Sequence, residues 1–142
     1  MIRLTRCYRI SASHRLHTPS LPESENQRVY GKCNNPFGHG HNYIVEVSVK
    51  GPVEKATGRV VNLARLDEFV REMIIDRFDH RDLNRDVAEF AGVPPTSENL
   101  ATVIQNRLRS AWSTAFEGST ATLDRVRIRE TRNNIIEVNG NQ

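Results

Sequence analysis

The sequence has little of what a secreted or membrane-embedded protein needs. It contains only two cysteines among 142 residues, Cys7 and Cys33, and no pattern typical of an exported disulfide framework, so we expect both thiols to be reduced. No apolar run approaches the roughly 20 residues that span a bilayer, and the N-terminus lacks the continuous apolar core of a signal peptide. We therefore expect a cytoplasmic protein without a membrane partner.

The chain also carries little net charge. The chain carries 20 Lys and Arg residues against 17 Asp and Glu residues, a formal net charge of +3. A nucleic-acid binder would need its arginines on one groove-sized face, whereas Arg125, Arg127 and Arg129 form only a short stripe. A solvated arginine-rich surface is the simpler interpretation, and we expect no nucleic-acid partner. Linkers, repeats and low-complexity segments are absent from the sequence as well, which predicts a single domain over residues 1–142.

The apolar pattern that is present changes its period along the chain. Residues 2–16 and 41–50 alternate between apolar and polar positions, as half-buried strands do, and a long loop over residues 17–30 is expected between them. Apolar residues then recur at three- and four-residue spacing over residues 62–78 and again after Pro94 and Pro95, which predicts two helices. Alternation returns over residues 120–130 and in a hairpin that ends at Val138.

This β-β-α-α-β-β order predicts an α+β domain, in which two helices cover one face of an antiparallel four-stranded sheet. So small a sheet leaves two edges with unpaired backbone groups. We therefore expect subunits to associate edge to edge into an oligomer.

The stretch from Gly31 to Tyr43, GKCNNPFGHGHNY, carries the first candidate site. Side chains two residues apart on a strand share a face, so His39 and His41 point the same way. His14 occupies an inward position near the end of the preceding strand and can face both histidines if the two strands pair. Three neutral imidazoles with an open fourth position suit a catalytic zinc, whereas Cys33 as a fourth ligand would make the site structural. On these residues alone both interpretations stay open.

Three further polar residues are candidates. Asp79 and His80 follow the first predicted helix and form an acid and base pair, although a polar helix C-terminus is the simpler explanation for them. Glu130 continues the inward parity of Val126 and Ile128, and a buried carboxylate needs a cation or a donor. A ligand edge with two adjacent N–H groups, as in a pterin or a guanine, would satisfy Glu130 with paired hydrogen bonds.

Taken together, these residues resemble a known family, the 6-pyruvoyltetrahydropterin synthases. Matching blocks run in order through nearly the whole chain: SASHRL (11–16), GKCNNP and GHGHNY (31–43), VVNLARL (60–66), FDHRDLN (78–84), PTSENLA (95–101) and RETRNN (129–134). The resemblance implies the tunnelling fold, in which protomers join their sheets into a trimeric barrel and two trimers stack as a homohexamer. This implication agrees with the expected association through sheet edges.

The resemblance also implies an activity and the residues that carry it. Such enzymes convert 7,8-dihydroneopterin triphosphate to 6-pyruvoyltetrahydropterin in tetrahydrobiopterin biosynthesis, and they eliminate triphosphate. The resemblance implies that His14, His39 and His41 bind one zinc ion in each subunit. It implies that Cys33 is the general base, with Asp79 and His80 as its proton relay across a subunit boundary. It further implies that Glu130 anchors the pterin and that Thr96 and Ser97 also bind the substrate.

Within the same superfamily there is a competing assignment. The 6-carboxytetrahydropterin synthases of the queuosine pathway share the substrate, the fold and the zinc, but they typically have a shorter spacer between the cysteine and the His-Gly-His. Five residues, Asn34 to Gly38, intervene here, which favours the pyruvoyl type. Phe37 stands where the family usually has a polar residue, close enough to the site to alter side-chain specificity.

Other expectations follow from the same residues. Magnesium is associated with the activity of the family, but the sequence shows no motif for it. Arg15 and Lys32 lie near the expected site and could meet the triphosphate. A zinc-stabilised binding module without catalysis, with Cys33 as fourth ligand, is the alternative from another functional class.

Overall fold

The computed structural model describes residues 1–139. Strand β1 (Ile2–His14) is followed by helix α1 (Glu23–Tyr30), a 3-10 turn (Gly31–Asn34) and strand β2 (His39–Gly51). Next come α2 (Leu63–Val70), a π-helical turn (Arg71–Ile75), α3 (Asp76–Phe78), β3 (Arg81–Asp82), α4 (Leu83–Asp86) and a second 3-10 turn (Ala88–Phe90). The described chain ends with α5 (Ser97–Ala115), β4 (Thr122–Thr131) and β5 (Asn134–Asn139). Within residues 1–139, no helix has the length and apolar character that a membrane crossing requires.

The sheet has five strands in the order β3-β1-β2-β4-β5. Its four long strands pair antiparallel with their neighbours, as the alternating pattern predicts. The prediction of a purely antiparallel four-stranded sheet is wrong, because β3 adds a parallel edge strand that pairs Arg81 with Ala12 and Asp82 with Ser13. Two residues are too few to show an alternating pattern, so periodicity does not reveal such a strand. The class is therefore α+β with a mixed sheet.

The amphipathic segment predicted over residues 62–78 is helical from Leu63 to Phe78, as α2, the π-helical turn and α3. Asn62 caps its start, because the Asn62 side-chain oxygen accepts a hydrogen bond from the backbone N–H of Arg65 at 3.0 Å. The apolar face of this segment is buried against the sheet, which is the source of most helical stability in proteins.

Helix α1 overturns the prediction of a continuous loop over residues 17–30. The side chain that this helix buries is polar: Asn26 is completely enclosed, and its amide bonds the backbone of Thr18, Leu21 and Pro22. Val29 on the same helix is exposed. A helix that buries an amide instead of an apolar stripe has no apolar periodicity, and the sequence signal for it is therefore missing.

The core lies between one face of the sheet and the helices. Strands β2 and β4 contribute the inward positions of their alternating pattern, and the helices contribute their apolar stripes: Val45, Val47, Val49, Val126, Ile128, Leu66, Val70, Leu100, Ile104 and Leu108 are all fully buried. On the opposite face of the sheet, charged side chains pair with one another, as Glu46 does with Arg129 at 2.8 Å. The inward face of β1 ends at His14, and that end positions the candidate site.

A substitution of Ile104 on α5 tests this packing of the core. Replacing Ile104 by alanine should lower the free energy of unfolding by about 2–5 kcal/mol, because the substitution removes buried methyl groups and leaves a cavity. Urea denaturation followed by circular dichroism measures the change. The matched control is Asn106→Ala, at an exposed position of the same helix, which should change the free energy by no more than about 0.5 kcal/mol. Equal losses in the two variants would contradict this description of the core.

Candidate active site

Three histidines meet where β1 ends and β2 begins. The antiparallel register places His14 opposite His39, and the ring of His41 lies 4.5 Å, centroid to centroid, from each of the other two rings. The alternation of both strands directs all three side chains to the helix-covered face of the sheet. The structure thus brings together the three imidazoles that the sequence suggested as metal ligands.

His14 has one ring nitrogen in use and one without a partner. Its Nδ1 lies 2.9 Å from the carbonyl oxygen of Pro95, which can only accept, so Nδ1 carries the proton. Its Nε2 is buried and has no hydrogen-bond partner among residues 1–139. Buried polar atoms are nearly always paired, and a histidine whose Nδ1–H is held by a carbonyl is the usual arrangement for metal ligation through Nε2. The donor set therefore fits a metal ion.

Cys33 lies in the 3-10 turn beside these rings. Its Sγ is 3.6 Å from Nε2 of His41, and His39 Nδ1 is 3.0 Å from the same Nε2. The ligand atoms of His14, Cys33 and His41 all lie within 4.8 Å of one another. Thiolate and imidazole are both common zinc ligands, so this geometry alone allows Cys33 either to bind a metal or to stand beside one.

Burial sets the protonation states of the cluster. It lowers the pKa of His14 to about 4, with a further contribution from His41. It also lowers the pKa of His41, although the negative charge of Glu130 opposes that effect. The pKa of Cys33 is raised, first by burial and then by Glu130. These shifts favour the uncharged forms of His14, His41 and Cys33, and a neighbouring cation would favour the thiolate of Cys33.

Glu130, near the end of β4, adjoins the cluster from the other side. One carboxylate oxygen lies 3.5 Å from Nδ1 of His41, and the other accepts a hydrogen bond from the Ser97 hydroxyl at 3.0 Å. Ser97 is the first residue of α5, and Thr96 caps that helix by accepting from the Asn99 N–H at 3.2 Å. Of the three residues suggested for the substrate, Glu130 and Ser97 are therefore in contact, while the Thr96 hydroxyl serves the helix end.

Asp79 and His80 lie on the other edge of β1. An Asp79 carboxylate oxygen accepts a hydrogen bond from the Ser11 N–H at 2.8 Å, and the His80 N–H donates to the Ser11 carbonyl at 2.6 Å. The backbone of His80 has a φ of +57°, a conformation that these hydrogen bonds maintain. The His80 imidazole is 82% exposed, and its Nε2 is 3.5 Å from Asp79. Within the described residues of one chain, neither side chain contacts Cys33.

Two cavities adjoin residues of the candidate site, one beside Glu130 and one beside His39. One of about 440 Å³ is lined by residues that include Tyr43, Glu130 and Arg129. The other, of about 420 Å³, is lined by residues that include His39, Arg15 and Lys32. Space for a ligand therefore exists on the Glu130 side of the cluster and on its basic side.

Sequence reasoning missed two contacts of His14. The Pro95 carbonyl has no sequence signal, because every residue has a carbonyl and only the fold brings this one to the ring. The Tyr43 hydroxyl lies 3.3 Å from the same Nδ1 and shares the histidine face of β2, so strand parity indicated its side but not its contact.

The model of the 6-pyruvoyl tetrahydropterin synthase family matches residues 3–141. This chain belongs to that family. It is 45% identical over 137 residues to the 6-pyruvoyl tetrahydrobiopterin synthase of Drosophila melanogaster, covering 96% of this chain and 79% of that protein. It is 42% identical over 138 residues to the protein of that name from Homo sapiens, covering 97% and 91% of the two chains.

Among solved structures, that of 6-pyruvoyl tetrahydropterin synthase from Caenorhabditis elegans superimposes with a TM-score of 0.87 at 38% identity, covering 98% of this chain and 95% of that one. The family predicted from the motifs is thus confirmed. The blocks that suggested it include every residue of the histidine and cysteine cluster.

The lowered pKa of His14 predicts a pH dependence of stability in the metal-free protein. An unfolded histidine titrates near pH 6.5 and folded His14 at about 4, so between these values the unfolded state binds a proton that the folded state does not. Stability should therefore fall as the pH drops through this window, by up to about 3 kcal/mol from this residue.

Urea denaturation in the presence of a chelator, at pH 6.5 and at pH 4.5, measures the effect. His14→Asn, whose amide can place a donor at the Nδ1 position for the Pro95 carbonyl and which cannot titrate, should lose distinctly less stability over the same interval. A loss equal to that of the wild type would rule out His14 as the source.

Proposed function

We propose that this protein converts 7,8-dihydroneopterin triphosphate to 6-pyruvoyltetrahydropterin and releases triphosphate, as part of tetrahydrobiopterin-type pterin biosynthesis. The observation that carries the proposal is a thiol, Cys33 Sγ, only 3.6 Å from an imidazole of a partly buried three-histidine cluster, in a chain of this family. A purely structural cluster would need neither the adjoining cavities nor a carboxylate at their border. The location of the reaction in the cytoplasm stays a prediction.

The metal proposed for the cluster is zinc, held by His14, His39 and His41. The unpaired, buried Nε2 of His14 and the lowered pKa values of His14 and His41, which favour their neutral forms, support this assignment. Zinc bound there would polarise the side-chain hydroxyls of the substrate and make a neighbouring C–H bond more acidic. No group of the chain is assigned to magnesium, and a magnesium requirement stays a prediction.

Cys33 is the proposed general base, since its thiol lies beside the cluster instead of in the core and can accept a proton once it is ionised. Asp79 and His80 are the proposed relay for that proton. Because they lie on the far edge of β1 in their own chain, they would meet the Cys33 of a neighbouring subunit. The nearly complete exposure of the His80 imidazole is consistent with a contact made only on assembly.

The oligomer that such a contact requires is the proposed tunnelling-fold assembly, a trimeric barrel of joined sheets with two trimers stacked as a hexamer. Strands β3 and β5 are the sheet edges available for it. Strand β5, with its six residues Asn134–Asn139, and the part of β1 that β3 leaves unpaired, residues 2–10, can each extend a neighbouring sheet.

Glu130 is the proposed pterin anchor, with Ser97 and Thr96 as supporting substrate-binding residues. The Ser97 hydroxyl holds one carboxylate oxygen, which orients the carboxylate beside the 440 Å³ cavity that Glu130 lines. A pterin edge with two N–H groups could then bind the carboxylate. Arg15 and Lys32 line the other cavity, where their positive charges suit the triphosphate.

A carboxytetrahydropterin product is the second candidate, and the position of Phe37 supports it. The Phe37 side chain is 98% exposed on the turn between Cys33 and His39, where it can contact a bound side chain. The five-residue spacer still favours the pyruvoyl product.

Product identification by mass spectrometry tests the proposal. Zinc-loaded protein incubated with 7,8-dihydroneopterin triphosphate should release triphosphate and form 6-pyruvoyltetrahydropterin. Cys33→Ala should keep its zinc and its fold and lose at least about a hundredfold in kcat, because only the base is removed.

The outcomes separate the alternatives. A 6-carboxytetrahydropterin product would select the second candidate. Loss of zinc from Cys33→Ala would make Cys33 a ligand and support the zinc-stabilised binding module. Intact zinc without any release of triphosphate by the wild type would contradict the synthase proposal.

A further inference from the structure

All four backbone polar groups of Arg15 and Leu16, the two residues that follow β1, are bonded. The Asn84 side chain binds both groups of Arg15: its Oδ1 accepts from the Arg15 N–H at 2.7 Å, and its Nδ2 donates to the Arg15 carbonyl at 3.0 Å. One amide side chain thus bonds Arg15 as a neighbouring strand would. The segment that carries Asp79 and His80 is thereby tied to the end of β1.

The 3-10 turn Gly31–Asn34, the cysteine turn, binds both backbone groups of Leu16. The Leu16 N–H donates to the Cys33 carbonyl at 2.7 Å, and the Asn34 Nδ2 donates to the Leu16 carbonyl at 2.9 Å. Arg15 closes the arrangement, because its Nε donates to the Asn34 carbonyl at 3.1 Å. Asn34 is only 5% exposed, so its amide has little water to replace a lost partner.

These hydrogen bonds restrain the distance between the Cys33 thiol and the His14 imidazole. His14 immediately precedes Arg15, and Cys33 immediately precedes Asn34, so the thiol and the imidazole are each one residue from a bonded position. Strand β2 cannot supply this restraint, since its pairing with β1 stops at His14 and His39. Backbone hydrogen bonds are short and directional, and they hold such a turn more rigidly than side-chain packing would.

We infer that Asn34 and Asn84 are positioning residues for Cys33: together they clamp Arg15 and Leu16 and so hold the thiol against the histidine cluster. This role rests on the proposed function of Cys33 as general base. Asn34 and its neighbour Asn35 both line the basic cavity of about 420 Å³, so a control variant must add the same charge there. A base must lie within hydrogen-bond reach of the proton that it removes, and small misplacement is costly to the chemical step.

The decisive variant is Asn34→Asp, which keeps the shape of the side chain but turns the Nδ2 donor into an oxygen that faces the Leu16 carbonyl. The matched control is Asn35→Asp, which adds the same charge one residue away and keeps the acceptor that bonds the Phe37 N–H. All proteins carry Cys7→Ser, so that Cys33 is the remaining thiol; Cys7 is exposed and lies apart from the cluster. Zinc content and circular dichroism are recorded for each variant.

For Asn34→Asp we expect kcat to fall at least about tenfold, while zinc remains bound and KM changes no more than it does in Asn35→Asp, which places the same charge on the same cavity. The rate of Cys33 alkylation by iodoacetamide should rise about threefold or more, because a loosened turn exposes the thiol. Asn35→Asp should leave kcat and the alkylation rate near those of the parent protein. A KM change common to both variants would report the added charge alone.

Unchanged kcat and unchanged alkylation in a folded, zinc-loaded Asn34→Asp protein would overturn the inference. Equal changes of kcat and of the alkylation rate in the Asn35→Asp control would overturn it as well. If Asn34→Asp does not fold, Asn84→Asp decides, since it lies at an exposed position and loses only the bond to the Arg15 carbonyl: a fall in kcat with zinc retained supports the clamp, and an unchanged kcat refutes it. Should the parent protein fail to turn over the pterin substrate, the proposed function fails while the alkylation rates still test the clamp.

Discussion

The pairing of the last residues of β1 is the constraint on which the rest of the site depends. From Ser11 to His14 this strand is bonded by β2 on one edge, and from Ser11 to Ser13 by the segment around Asp79 and β3 on the other. At Leu16, beyond the last residue that pairs with β2, the cysteine turn supplies the backbone hydrogen bond. The proposed ligand, base and relay residues are therefore all attached to one short stretch of backbone.

The electrostatics of the cluster complement this geometry. Burial keeps the imidazoles of His14 and His41 neutral and the Cys33 thiol protonated, while the Glu130 carboxylate stands at the border. The site thus offers ligand lone pairs and a nearby negative charge, while Arg15 and Lys32 line the adjoining basic cavity. A metal ion would complete this charge balance and would also ionise the thiol, so metal binding and the activation of the base are coupled.

Sequence reasoning reached the features that depend on periodicity. Strand alternation predicted which face His14, His39 and His41 share, and helical spacing predicted the segment that ends at Phe78. It failed where a polar group takes a structural role. Helix α1 buries the amide of Asn26, and β3 is only two residues long, so neither produces an apolar pattern. The Pro95 carbonyl and the Asn34 and Asn84 amides act through contacts that only the folded chain creates.

In the proposed site the three histidines bind zinc, and Cys33 stands beside the ion unbound. X-ray absorption spectroscopy of the zinc-loaded protein without substrate measures this directly, since nitrogen and sulfur ligands differ in bond length by about 0.2–0.3 Å. We expect the zinc ion to have nitrogen and oxygen ligands at about 2.0–2.1 Å, with the imidazole signature of three histidines and no sulfur ligand. A zinc–sulfur distance near about 2.3 Å, absent from Cys33→Ala, would contradict it.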